Sequence, residues 1–189
     1  AVRNAVAVNE VNAKRGLICA TPTAGSAGVL AGVLLAMRDR LHLSHDQQLD
    51  FLFTAGAFGL VIANNAGIAG AEGGCQAEIG TASAMAAGGA ACLMGGDGET
   101  IAHAAALAMK NLLGLACDPV AGLVEVPCVK RNVIGAVNAL TSADLACSGI
   151  RSKIPPDQVF DAMRSIGKLL PEELKETGRG GLEYPTGKI

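Results

Sequence analysis

Apolar residues fill long stretches of this chain, and short polar or glycine-rich breaks divide those stretches into a succession of helices. Val2, Val6, Val8 and Val11 open a pattern that predicts a helix over Asn4 to Lys14, closed at Gly16. The turn-rich segment from Thr21 to Gly28 leads into a helical run from Val29 to Arg40. Ser44 followed by Gln47 matches a capping box, so a helix starts there and continues through Leu60. An alanine-rich helix follows over Ile79 to Leu93, then a loop at Gly95-Gly96-Asp97-Gly98 and a helix from Glu99 to Leu113. Cys117 to Cys128 reads as a loop, because Pro119 and Pro127 stop a regular helix; an apolar helix then reaches about Cys147. Arg151 to Pro156 is a linker, Asp157 to Leu169 a short amphipathic helix, and the tail from Pro171 is polar and glycine-rich.

Two of the apolar stretches, Gly16 to Met37 and Phe51 to Ala71, carry no charge and have the length to span a bilayer. Each is interrupted, the first by Thr21 to Ser26 and the second by Asn64-Asn65 and several glycines, which lipid would leave unsatisfied. They read as helices buried on all sides in a protein with no membrane partner. Composition narrows the packing: half of the 189 residues are hydrophobic, only 3% are aromatic, and 25 are glycine, so helices pack closely through small side chains. The expectation is one all-α domain over residues 1–189, a compact bundle of small-residue-rich helices. A net charge of -2 and no long basic run argue against nucleic acid as a partner.

Chemistry concentrates in Gly67 to Met85, where Cys75 follows two glycines and stands between Glu72 and Glu78 in an otherwise small and apolar region. Polar groups there are costly to bury unless something binds them. The six cysteines are too sparse for a secreted disulfide scaffold and no signal peptide opens the chain, which points to a reducing, cytoplasmic setting. Cys19, Cys92 and Cys147 sit among apolar or small residues and read as packing cysteines. Cys75, Cys117 and Cys128 sit beside Gly or Pro, and three thiolates suit an iron–sulfur cluster with one iron left open as a Lewis acid; zinc is the competing metal. The Thr21 to Gly28 turn, with hydroxyls and glycine amides at a helix start, is either an anion site or a plain N-cap. His42 and His45 read as solvated, and His103 as structural.

The segments TPTAGSAG (Thr21 to Gly28), NAGIAGAEGGCQAEIGTASAMAA (Asn65 to Ala87), CDPVAGLVEVPCVKRN (Cys117 to Asn132) and KETGRGGL (Lys175 to Leu182) together resemble the iron–sulfur-dependent L-serine dehydratases, specifically their alpha domain or subunit. The resemblance implies an all-helical fold with cluster-binding loops and a [4Fe-4S] cluster held by Cys75, Cys117 and Cys128, without pyridoxal phosphate. It implies conversion of L-serine to pyruvate and ammonia in serine catabolism, with an open iron assisting loss of the hydroxyl while a base removes the α proton. Thr23, Gly25, Ser26, Asn65 and Arg131 are the candidates for holding the substrate. In the family a beta domain or subunit carries an SSHT-type motif with the suspected base, and no such motif occurs here. The expectation is therefore an alpha part lacking its N-terminal start and its beta partner, inactive alone and oligomeric when complete. The alternatives are a non-catalytic helical domain or a dehydratase of another hydroxy acid.

Overall fold

The alanine and glycine run after Cys75 has no polar face to offer water, and the computed structural model places it accordingly, as a helix buried from Thr81 through Ala91. The structure describes residues 1–117 and 125–179, with the side chains of residues 125–127 left aside. Along them run α1 (Val2–Ala13), α2 (Ala27–Leu41), α3 (His45–Asn65), α4 (Gly70–Gly73), a π-helical turn (Gln76–Gly80), α5 (Thr81–Leu93), α6 (Gly98–Lys110), α7 (Glu125–Cys147), α8 (Pro156–Leu169) and a 3-10 turn (Glu172–Leu174). Every regular element among the described residues is helical, as the apolar pattern predicts.

α5 is the axis of the bundle, packed by α3, α6, α7 and α2. Its glycines set the spacing: a Cβ on Gly89 would lie 2.7 Å from the Phe51 ring, and one on Gly88 2.6 Å from the Phe58 ring. The rare aromatic rings of this chain therefore seat directly on the α5 backbone, and Phe51 is fully buried. On the far side, α8 turns Val159, Phe160 and Met163 inward onto Ala105 and Met109 of α6.

Side-chain caps start two of the helices, α3 and α6. The capping box at Ser44 forms in full, and Asp97 accepts a hydrogen bond from the Thr100 amide to start α6. α3 runs five residues past the expected stop at Leu60, ending at Asn65, whose side-chain amide donates back to the Val61 carbonyl at 2.7 Å. α7 corrects a boundary of the other kind. It begins at Glu125, so Cys128 stands on a helix and not in a loop. Pro127 is tolerated there because a first-turn residue has no helical acceptor for an N–H in any case. The expectation of helices buried on all sides fails for the second apolar stretch: α3 packs one face on α5, burying Phe51, Ala55, Gly59 and Ile62, and leaves Leu52, Phe53, Leu60 and Val61 exposed. No helix among the described residues is long and apolar enough to cross a membrane.

Two of the three cysteines read as packing residues are not buried. Cys19 lies exposed in the irregular segment before α2, and Cys147 is exposed as the last residue of α7; Cys92 is half-buried. His42 and His45 are solvent-exposed, as expected. His103 is mostly buried, with Nε2 3.7 Å from Glu99.

Candidate active site around the Cys75 and Cys117 thiols

Two distant segments are brought together by one side chain. Gly74, at φ +73°, turns the chain out of α4 where a Cβ would crowd the Leu115 carbonyl at 3.2 Å. Next to Cys75, the Gln76 amide N–H donates to that same carbonyl at 3.1 Å. The fully buried Gln76 side chain accepts from the Gly114 N–H at 2.9 Å and donates to the Met163 carbonyl at 3.0 Å. Gln76 thus ties the loop after α6 to the Cys75 turn and both to α8. The Cys117 N–H completes the arrangement by donating to the Leu174 carbonyl at 2.9 Å.

The result is a pair of buried thiols in hydrogen-bonding contact. Cys117 donates to Cys75, which lowers the Cys75 pKa most; burial opposes this, the Arg131 guanidinium lowers it further, and Glu78 raises it. Cys117 is pushed far up by the same hydrogen bond, then by burial and the surrounding negative charge of Cys75, Glu176 and Glu78. The hydrogen bond favours ionisation of Cys75 over that of Cys117. Arg131, on α7, also donates to the Ala116 carbonyl, so it braces the Cys117 loop as well as facing Cys75.

The wall beside the thiols is polar. Thr23 Oγ1 and Ser26 Oγ are 2.9 Å apart, and Thr23 also hydrogen-bonds the Glu78 carboxylate. These hydroxyls therefore shape the turn and hold Glu78, with Ser26 itself fully buried. Glu78 Oε2 lies 3.4 Å from where a Cβ would stand on Gly25. Asn132, fully buried on α7, donates from Nδ2 to the Gly25 and Cys128 carbonyls, each at 2.7 Å, and so joins the Thr21 to Gly28 turn to the helix turn bearing Cys128. Cys128 is half-buried. Asn65 is placed elsewhere: it is exposed and lines a recess of about 260 Å³ with Glu72, Gln76, Arg164 and Lys168. Glu72 is exposed there, whereas Glu78 turns inward.

Two buried, hydrogen-bonded thiols beside the Arg131 guanidinium suit a thiolate-held metal centre, because a metal takes the place of thiol protons. Among the described residues no three His, Cys, Asp or Glu side chains stand together as a metal-ion group; residues 118–124, between Cys117 and α7, lie outside the described residues. So do the last three residues of the KETGRGGL segment. Gln76, Asn132 and Glu176 had no role assigned from sequence. An amide alone in an alanine and glycine run, and an Asn one turn after Cys128, were the legible signals for the first two.

Fold and site define an all-helical protein whose polar centre is built on paired thiols. Residues 1–183 match the family described as serine dehydratase alpha chain, and the chain belongs to that family. It is 64% identical over 99% of its length to the "Probable L-serine dehydratase, alpha chain" of Latilactobacillus sakei, covering 90% of that protein. It is 60% identical over its full length to the protein of the same name in Bacillus subtilis strain 168, and 46% identical over 96% of its length to the "L-serine dehydratase, alpha chain" of Peptoniphilus asaccharolyticus. Of these two relatives it spans 63% and 62%.

Proposed function

We propose that this chain is the alpha part of an L-serine dehydratase, converting L-serine to pyruvate and ammonia, and that Cys75, Cys117 and Cys128 hold a [4Fe-4S] cluster. The observation that carries the reading is the buried, hydrogen-bonded Cys75 and Cys117 pair, in a chain of the serine dehydratase alpha family. When bound, such a cluster supplies a Lewis acid for departure of the substrate hydroxyl. The chain's own residues bind and orient. Arg131 offers a guanidinium to the substrate carboxylate next to Cys75. The Thr23 and Ser26 hydroxyls lock the turn that brings Gly25 against the site, and Asn65 remains a candidate from the neighbouring recess. No residue here is assigned as the base for the α proton, and that role falls to a beta part. Loss of water leaves aminoacrylate, whose imine form is hydrolysed to pyruvate and ammonia. A cluster held by thiolates fits a reducing, cytoplasmic setting.

The test is anaerobic reconstitution with iron and sulfide, followed by the visible spectrum and by iron and sulfide analysis of the wild type and Cys117→Ser. A brown protein whose colour depends on Cys117, and which yields pyruvate from L-serine once the beta part is added, is the expected result. Iron retained equally by Cys75→Ser, Cys117→Ser and Cys128→Ser would sink the cluster assignment.

A further inference from the structure

Among the described residues, the face that α3 turns away from α5 is apolar and left uncovered. Leu52, Phe53, Gly56, Ala57, Leu60 and Val61 are all exposed, and no charged residue occurs from Phe51 to Asn65. Their spacing, at i, i+1, i+4, i+5, i+8 and i+9, sets them side by side along one side of the helix. Single exposed hydrophobics are ordinary, but a contiguous apolar patch marks a contact with another molecule. Phe53 is 74% exposed and Leu60 65%, at the middle of the patch.

The order of sizes along the face selects the partner. Phe53 and Leu60 are seven residues apart, about two helical turns, with Gly56 and Ala57 at the midpoint between them. A Cβ on Gly56 would meet nothing within 4 Å, so the midpoint is open to close approach. Turned over about a twofold axis through that midpoint, a second α3 lies antiparallel to the first, and each Phe53 meets the Leu60 of the other copy. The small residues then sit at the crossing and admit the neighbouring backbone. A twofold interface requires a surface matched to itself in this way, with residue i on j and j on i. A neutral face also brings no like charges together when it meets its own copy.

The area is of the size a dimer needs. The six residues expose about 450 Å² in one copy, so pairing removes about 900 Å² from water, against roughly 1,000 Å² for a specific interface. The flanks supply the rest. Leu52 lines an apolar recess of about 510 Å³ with Leu17, Leu30 and Leu34, and Val61 lines one of about 340 Å³ with Phe58 and Phe160.

We propose that the α3 helices of two copies of this chain pair antiparallel about a twofold axis between Gly56 and Ala57. The pairing uses the side of α3 opposite the residues packed on α5, and it does not depend on which reaction the thiol site performs.

The experiment uses the full alpha chain with its beta part, loaded with cofactor and kept anaerobic, as wild type, Gly56→Arg, Phe53→Glu and Gly56→Cys. Sedimentation velocity reads the number of alpha chains per particle, and circular dichroism the helix content. A short bis-maleimide followed by peptide mapping detects any link through residue 56. The wild type is expected to hold at least two alpha chains per particle. Gly56→Arg and Phe53→Glu are expected to hold half as many at the same concentration with the helical signal kept, since both positions are exposed and Arg favours a helix over Gly. Gly56→Cys is expected to give alpha chains joined in pairs, residue 56 to residue 56, a link that a contact elsewhere on the molecule does not produce. One alpha chain per wild-type particle overturns the proposal. So does an unchanged number in both charged variants, and loss of the beta part alongside it gives the face to that partner. A Gly56→Cys enzyme in which residue 56 is never linked to its equivalent overturns the proposal by itself, whether or not the charged variants fold.

Discussion

Replacing Gln76 with alanine removes the brace that holds the Cys117 loop against Cys75. The side chain is fully buried and makes two hydrogen bonds, at 2.9 and 3.0 Å, to groups on two different segments. Each is worth about 1 kcal/mol net. The full penalty for stranded groups is not incurred, because the Met163 carbonyl lies within α8 and Gly114 is exposed to water. The empty space left by the side chain adds about 1 kcal/mol. The expected loss is about 3 kcal/mol, read as a fall of about 1 to 2 M in the urea midpoint of the cofactor-free chain at unchanged slope. Gln76→Met fills the space but makes neither hydrogen bond, and is expected to lose about 2 kcal/mol. The second readout is local. Cys117 is 5% exposed, and its alkylation rate, followed by peptide mass mapping, is expected to rise in both variants. An unchanged midpoint together with an unchanged Cys117 rate would refute the brace.

Phe51→Ala, which empties the seat on Gly89, is expected to cost about 3 to 5 kcal/mol by urea denaturation; a loss below about 1 kcal/mol would mean that the ring is not a core residue. Ser44→Ala breaks the capping box of α3 and is expected to cost about 1 kcal/mol in the same assay, with the helical circular dichroism signal kept. For Glu78, the sign follows from its raised folded-state value. Above the ordinary 4.5 the unfolded chain has released a proton that the folded chain still holds, so stability falls as pH rises through that window. In the cofactor-free chain, Glu78→Gln is therefore expected to melt higher than wild type near neutral pH, with the gap closing in acid below the ordinary value. A wild-type advantage that grows with rising pH would show the sign to be wrong.

What could be read from sequence alone was what neighbouring residues settle among themselves. The capping box at Ser44, the burial of the alanine and glycine helix after Cys75, and the resemblance carried by the Cys75, Cys117 and Cys128 segments all depend on residues close together in the chain. The same local reasoning failed at Pro127, where a residue that stops a helix interior is harmless in a first turn, and at Cys19 and Cys147, where apolar neighbours did not bring burial. Tertiary structure alone decided that Gln76 reaches Gly114 and Met163, that Asn132 reaches Gly25, and that Glu176 meets Glu78 over Gly70. Those meetings follow from which helices pack on α5 and how closely its glycines admit them. A short stretch of sequence records its own periodicity and caps, but the direction in which a buried polar side chain finds its partner is set by the packing of segments far apart in the chain.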